Sequence, residues 1–304
     1  MAKCIIVLGN GFDLDLGLAT SYSSFVKSKQ WSDLMESSIN SWDNEGLLGF
    51  LRSKSLIEKW IDIEAALLEF ARIKTSKHDI SNANADRFDF IELCKALKSY
   101  LLEQQTGFNG TKKSVAALLL KIFSRLTEGS RIYTFNYTEP RVLAKAFNWE
   151  MNHRVSHIHG SLNDDDGIIL GIETNEIIDD HYAFLYKTQN RRYRHTNIMK
   201  DLWNKNEYVF FGHALNGMDY AYFKNTFSIL ASSSAGAVSP RLTIITKSAE
   251  DEESFKVFLR KQMVSLQALY SNTDPTFILT DEVYNGNEEE KDKVVKLVNR
   301  IEMM

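Results

Sequence analysis

The feature that most constrains this chain is a series of short, dense apolar runs, each closed by glycine or polar residues. They are IIVL (5–8), RIYTF (131–135), VSHIH (155–159), IIL (168–170), YVFF (208–211), LTIIT (242–246) and TFILT (276–280). Runs this short and this apolar suit strands buried on both faces, as in a parallel sheet covered by helices. Helical patterns lie between the later runs. Residues 250–270 (EDEESFKVFLRKQMVSLQALY) open with acids, which favour a helix N-terminus, and then repeat apolar residues at 3–4 spacing. Residues 287–302 do the same, with Asn287 placed as an N-cap. This alternation predicts an α/β fold with a Rossmann-like, open, mainly parallel sheet.

Residues 21–128 break the alternation. They carry no strand pattern, and IEKWIDIEAALLEFARI (57–73) and SVAALLLKIFSRL (114–126) read as amphipathic helices. Only three prolines stand in 304 residues, so long helices are permitted almost everywhere. The expectation is a single α/β domain over 1–304. Residues 1–20 and 129–304 form its nucleotide-binding core, and 21–128 form a helical insertion packed on the sheet or covering it. The polar segment Ser76–Asp86 is the expected loop within that insertion.

Composition narrows the partners. The chain is 44% apolar and 25% charged, enough to bury a sizeable core, and its net charge of -4 does not favour nucleic acid or an anionic membrane. Cys4 and Cys94 stand far apart and outside any metal-ligand spacing, which argues against a disulfide scaffold and a cysteine zinc site. The first residues, MAKCIIVLGNGFD, have too short an apolar run for a signal peptide, and no stretch reaches transmembrane length. The reading is a cytoplasmic protein with no membrane partner and no bound metal.

Four polar turns carry the candidate chemistry. In open α/β sheets, ligands bind beyond the carboxyl ends of the strands. Gly9-Asn10-Gly11-Phe12-Asp13 follows the first strand, where glycines let backbone N–H groups approach a phosphate. Asp13 suits a ribose hydroxyl or a helix cap, and the same glycines equally suit a tight turn. The spacing to Gly17 departs from G-x-G-x-x-G, which disfavours an ordinary dehydrogenase. TFNYTEP (134–140) puts Asn136 at a strand end, where its amide holds a water or sugar hydroxyl, or closes an Asx-turn. HIHGSLND (157–164) offers His157 and His159 on one strand face. No third ligand supports zinc, so His159, at the exposed rim, is the candidate base, and His157 is structural. FFGHALNGMDY (210–220) repeats the pattern with Gly212, His213, Asn216 and Asp219. Lys247 follows a further strand.

Together these stretches resemble the sirtuins. GNGFDLDLGLAT is similar to the sirtuin G-A-G-I-S-x-E-x-G-I-P-T, TFNYT to T-Q-N-I-D, HIHGSL to H-G-S-L and FFGHAL to G-T-S-L, in the same order. The sirtuin four-cysteine zinc module is missing, Thr138 stands where sirtuins have aspartate, and Ala19 replaces a proline. More closely, GNGFDLDLGLATSYSSF, KWIDIE (59–64), FNYT, HIHG, ILGIE (169–173) and FFGHALNGMDY resemble the bacterial AbiH abortive-infection family over nearly the whole chain.

The resemblance implies an antiphage protein of sirtuin-like fold that takes NAD as substrate or ligand and cleaves its nicotinamide–ribose bond. It implies backbone donors at Gly9, Asn10 and Gly11 for the pyrophosphate, with Phe12 in the same turn. Asp13 and Thr20 would border the ribose–nicotinamide end, Asn136 would position water or ribose, and His159 would accept a proton. Gly212, His213 and Asp219 would contact the distal nucleotide. Silence until a phage trigger or self-assembly is expected of such an effector. Two other readings stand beside it. One is a non-catalytic sensor of NAD or ADP-ribose acting through a partner. The other is a metal-dependent hydrolase or nuclease using Asp62 and Glu64 with Asp13 or Asp219. WIDIE and the basic run KTQNRRYRH (187–195) are each expected to be solvated faces.

Overall fold

Six of the apolar runs form one sheet in a computed structural model of the chain. Its strands are β1 (Cys4–Leu8), β2 (Ser130–Thr134), β3 (Val155–His157), β4 (Glu207–Phe211), β5 (Arg241–Thr246) and β6 (Thr276–Leu279). The structure describes residues 4–37, 45–57, 62–126, 129–163, 167–191, 193, 198–203, 206–215, 217–232 and 240–303. The strand order is β3-β2-β1-β4-β5-β6, and every pairing is parallel. The fold is therefore the expected open, Rossmann-like α/β sheet, with only helices described between β1 and β2. All carboxyl ends lie along one edge, and the order reverses between β1 and β4.

Burial explains the sheet. Every residue of β1 is buried, with Cys4, Ile6 and Leu8 in one core and Ile5 and Val7 in the other. This is the period-2 alternation of a strand covered on both faces. The first core adds Phe12, Phe123, Ile132 and Phe211; the second adds Tyr133, Phe210, Phe223 and Phe227. Each such side chain contributes about 1.5–3 kcal/mol on burial.

The chain divides into two compact units. One comprises Met1–Leu18, Phe108–Ile158 and His195–Met304 and holds the sheet; the other comprises Ala19–Gly107 and His159–Arg194. The second unit is built on the helices Lys29–Ser37, Leu47–Ile57, Ile63–Lys77 and Ala83–Thr106. Among the described residues no helix is long and apolar enough to cross a membrane.

Several local expectations need correction. IIL (168–170) is not a strand of the sheet; Ile168 makes one isolated antiparallel bridge to Gly160. β3 stops at His157, and Gly160 turns the chain at φ +81, so His157 and His159 do not share a strand face. The pattern over 250–270 is two helices, Ala249–Lys261 and Leu266–Thr273. Met263 adopts φ +61 between them, and Ser265 caps the second. The expected loop Ser76–Asp86 is shorter, because one helix runs to Lys77 and the next starts at Ala83. Asp86 is buried, accepting from the Leu47 N–H at 2.8 Å and the Tyr182 hydroxyl at 2.9 Å. Residues 58–61, within the pattern expected over 57–73, lie outside the described residues, and Asp62 caps the helix that follows. Asn287 caps the helix Glu288–Glu302 as expected, accepting from the N–H groups of Glu289 and Glu290.

Candidate nucleotide site

The turns after β1 and β4 meet where the strand order reverses. The Gly9 N–H donates to the Phe211 carbonyl at 2.9 Å, and the Gly11 N–H donates to the Gly212 carbonyl at 3.0 Å. The approach requires bare backbone. A Cβ on Gly9 would fall 2.6 Å from His213 Cα, and one on Gly11 would fall 2.5 Å from Gly212 Cα. Gly9 itself is extended, at φ -115. Its glycine is demanded by proximity, whereas Gly212, at φ +60, is demanded by conformation as well. The N–H groups of Gly9 and Gly11, expected as phosphate donors, are thus engaged by the facing turn. Phe12 is a core residue, edge-on to Phe211 at 5.3 Å, and its N–H donates to the Gly9 carbonyl. Asn10 is exposed.

Beside this junction lies a buried polar cluster. Asp13, one turn into the helix Asn10–Leu16, accepts from Asn136 Nδ2 at 2.8 Å and from the Thr138 hydroxyl at 2.7 Å. Asn136 Nδ2 also donates to the Gly9 carbonyl at 3.0 Å. Asp13, Asn136 and Thr138 are all buried. Both amide protons of Asn136 are thereby directed at protein acceptors, which leaves Oδ1 as the group able to meet a ligand. The Asn136 carbonyl lies 3.1 Å from His157 Nδ1, and His157 Nε2 lies 3.4 Å from Glu139 Oε2. Arg141 grips the same carboxylate at 3.0 Å. Burial opposes ionisation of Glu139, but His157 and Arg141 outweigh it and hold its pKa down to about 2. His157 is thus structural, as expected, tying the end of β3 to that of β2.

On the β4 side, His213 is buried and its Nδ1 accepts from the Leu215 N–H at 3.0 Å. That bond puts the neutral ring's proton on Nε2, 3.8 Å from Asp219 Oδ2. Phe135 meets the His213 ring edge-on at 4.3 Å. Asn216 lies outside the described residues.

Thr20 and His159 belong to the second unit. Thr20 is partly exposed, just ahead of the helix cap Ser21. His159 is buried rather than on an exposed rim. Its carbonyl accepts from the Ile169 N–H at 2.7 Å, and its Nε2 lies 3.3 Å from Lys187 Nζ. Lys187 is wholly buried, 3.0 Å from Glu64 Oε2. The basic run is therefore not solvated at its first residue, and Glu64 faces a cation rather than water. Asp62 accepts from the Ala65 N–H as a helix cap. Asp62 and Glu64, which the metal-hydrolase reading joins with Asp13 or Asp219, thus meet a helix N-terminus and a cation. Glu173 accepts from the Tyr193 hydroxyl at 2.8 Å.

Sequence reasoning gave no role to Glu139 or Lys187, noted Thr138 only as a departure from the sirtuin aspartate, and weighed Glu64 only as a metal ligand or a solvated side chain. Thr138 and Glu139 carry a signal in hindsight, because a polar pair follows Asn136 after a single tyrosine, just beyond a strand end. A search of curated proteins finds no match. A family model described as bacteriophage abortive infection AbiH matches residues 5–239. That span includes β1 to β4, both glycine turns, and the Asp13 and His159 clusters, so the chain belongs to the AbiH family and its role lies in phage abortive infection.

Proposed function

We propose that this AbiH protein binds NAD at the carboxyl edge of its parallel sheet and cleaves the nicotinamide–ribose bond. The observation that carries the reading is the buried Asp13–Asn136–Thr138 cluster beside the junction of the β1 and β4 turns. Open α/β sheets bind nucleotides at that reversal of strand order. The cluster orients Asn136 so that it offers Oδ1, an acceptor for a ribose hydroxyl or an attacking water. His213 and Asp219 supply further polar groups on the β4 side, fitted to a sugar or base edge. Breaking an N-ribosyl bond passes through an oxocarbenium-like centre, and nicotinamide leaves as a neutral ring. No strong acid is then required; positioning and exclusion of water supply the rate. The sirtuin resemblance assigns the proton-handling role to His159.

An abortive-infection effector that depletes NAD harms its own cell, so activity is expected to be low until a phage factor or self-assembly releases it. The test is incubation of the protein with NAD, with and without phage lysate, followed by chromatography for free nicotinamide. Release that rises with lysate supports the reading. NAD binding by calorimetry without nicotinamide under any condition rejects cleavage and leaves a nucleotide sensor.

A further inference from the structure

The tie from His157 to β2 ends on Asn136, the residue that presents Oδ1. Asn136 lies in a bend just after β2, beyond the ladder that holds the strand. Its polar groups other than Oδ1 each meet a protein partner. The N–H donates to the Thr134 hydroxyl at 3.1 Å, and Nδ2 donates to the Gly9 carbonyl and to Asp13 Oδ1. The carbonyl lies 3.1 Å from His157 Nδ1, and a carbonyl oxygen only accepts, so that ring nitrogen carries the proton they share. The ring is set from its other side as well. His157 Nε2 lies 3.4 Å from Glu139 Oε2, and Arg141 holds Glu139 through its backbone N–H at 3.2 Å, Nε at 3.1 Å and Nη2 at 3.0 Å. All of these residues stand in the unit that carries the sheet.

We propose that His157 is a positioning residue, which through the Asn136 carbonyl fixes where Asn136 Oδ1 stands. The Nδ2 contacts hold the tip of the side chain, and the His157 contact holds the peptide plane at its root. With the root released, Nδ2 can keep Asp13 while the amide swings about that contact, and Oδ1 swings with it. The Thr134 hydroxyl belongs to the same short stretch of chain and moves with it, so it does not replace an anchor from another strand. His157 belongs to β3, and Glu139 caps the helix Pro140–Ala146, so the anchor joins two elements. A shift of roughly 1 Å carries a hydrogen bond from its usual length out of range. The service of Oδ1 to NAD rests on the proposed function; its placement by His157 does not.

The experiment uses the full chain and two replacements that divide the ring's contacts. In His157→Asn the side-chain amide nitrogen takes the place of Nδ1, which keeps the Asn136 contact and drops Glu139. In His157→Gln it takes the place of Nε2, which keeps Glu139 and drops Asn136. The first readout is the Asn136 side-chain amide in 15N-asparagine-labelled protein, assigned by its loss in Asn136→Ala. Wild type and His157→Asn should share its shift and its slow hydrogen exchange, whereas His157→Gln should shift it and speed the exchange. A signal unchanged in His157→Gln, or altered equally in both variants, overturns the proposal. If His157→Gln fails to fold, Glu139→Gln, which loosens the ring from its far side, should move the same signal in the same direction, and no movement overturns the proposal. The second readout is calorimetry with NAD. Affinity should hold in His157→Asn and fall about 3- to 10-fold in His157→Gln, the worth of one hydrogen bond. Adding His157→Gln to Asn136→Ala should then cost nothing more, and an additive loss overturns the proposal. If NAD does not bind, or binds equally to all three proteins, the role of Oδ1 towards NAD fails, and the amide signal alone decides the role of His157.

Discussion

Three glycine-to-alanine variants separate the two reasons for which this fold uses glycine. Gly286, at φ +91 with no atom within 4 Å of an added Cβ, tests conformation alone. A left-handed alanine costs about 1–2 kcal/mol, offset by about 0.4–1 kcal/mol from the stiffer unfolded chain. Gly286→Ala should therefore destabilise by roughly 0–1.5 kcal/mol. Gly9, at φ -115, tests proximity alone, because its Cβ would meet His213 Cα at 2.6 Å and the Gly212 oxygen at 2.7 Å. Backbone cannot rotate aside as a side chain does, so the cost falls at the upper end of overpacking, about 2–3 kcal/mol. Gly212 tests both, at φ +60 with a Cβ 2.5 Å from the Gly11 carbonyl carbon. The sum is about 2–4.5 kcal/mol. The assay is chemical denaturation followed by circular dichroism, scored as the order of midpoints: Gly286→Ala highest, then Gly9→Ala, then Gly212→Ala. A Gly212→Ala midpoint equal to that of Gly286→Ala would refute the close approach of the two turns. The β1 glycines would then regain their reading as a phosphate cradle.

Two further outcomes follow from the buried charges. The Glu139 pKa, held down to about 2 in the folded state, contributes stability above the ordinary carboxylate range, and that stability is lost as pH falls from about 4.3 through 2. The loss is about 3 kcal/mol at most, and Glu139→Gln should flatten this acid limb in denaturation midpoints measured from pH 6 to pH 2. Asn136→Asp places a carboxylate where an amide donor meets Asp13 at 2.8 Å and the Gly9 carbonyl at 3.0 Å. It should cost on the order of 3 kcal/mol at neutral pH and recover on acidification, as one acid of the pair takes a proton. Equal stability of Asn136→Asp and wild type at pH 7 would contradict the assigned amide orientation.

The elements legible in the sequence are those whose cause is local. β1, β2, β4, β5 and β6 were readable because dense apolar runs ending in glycine or polar residues have few other fates, and Asn287 was readable because caps act within one turn. Where a local pattern fails, a local device explains it, as Met263 at φ +61 divides a periodicity that otherwise continues. The pairing of Glu64 with Lys187 was illegible for a different reason. They stand 123 residues apart, and each sits in a charged stretch whose local pattern suits solvent equally well. The glycines lie between these cases. G-N-G announces that backbone will be approached closely, but a phosphate and a second backbone impose the same demand for a missing Cβ. Here Gly212 answers Gly9 and Gly11, so the motif is satisfied within the protein. The proposed nucleotide reading therefore rests on the less conspicuous set beside it: a buried aspartate, an amide turned towards it, and a threonine hydroxyl. These spend donors on one another and leave an acceptor, Asn136 Oδ1, at the edge where parallel sheets bind nucleotides.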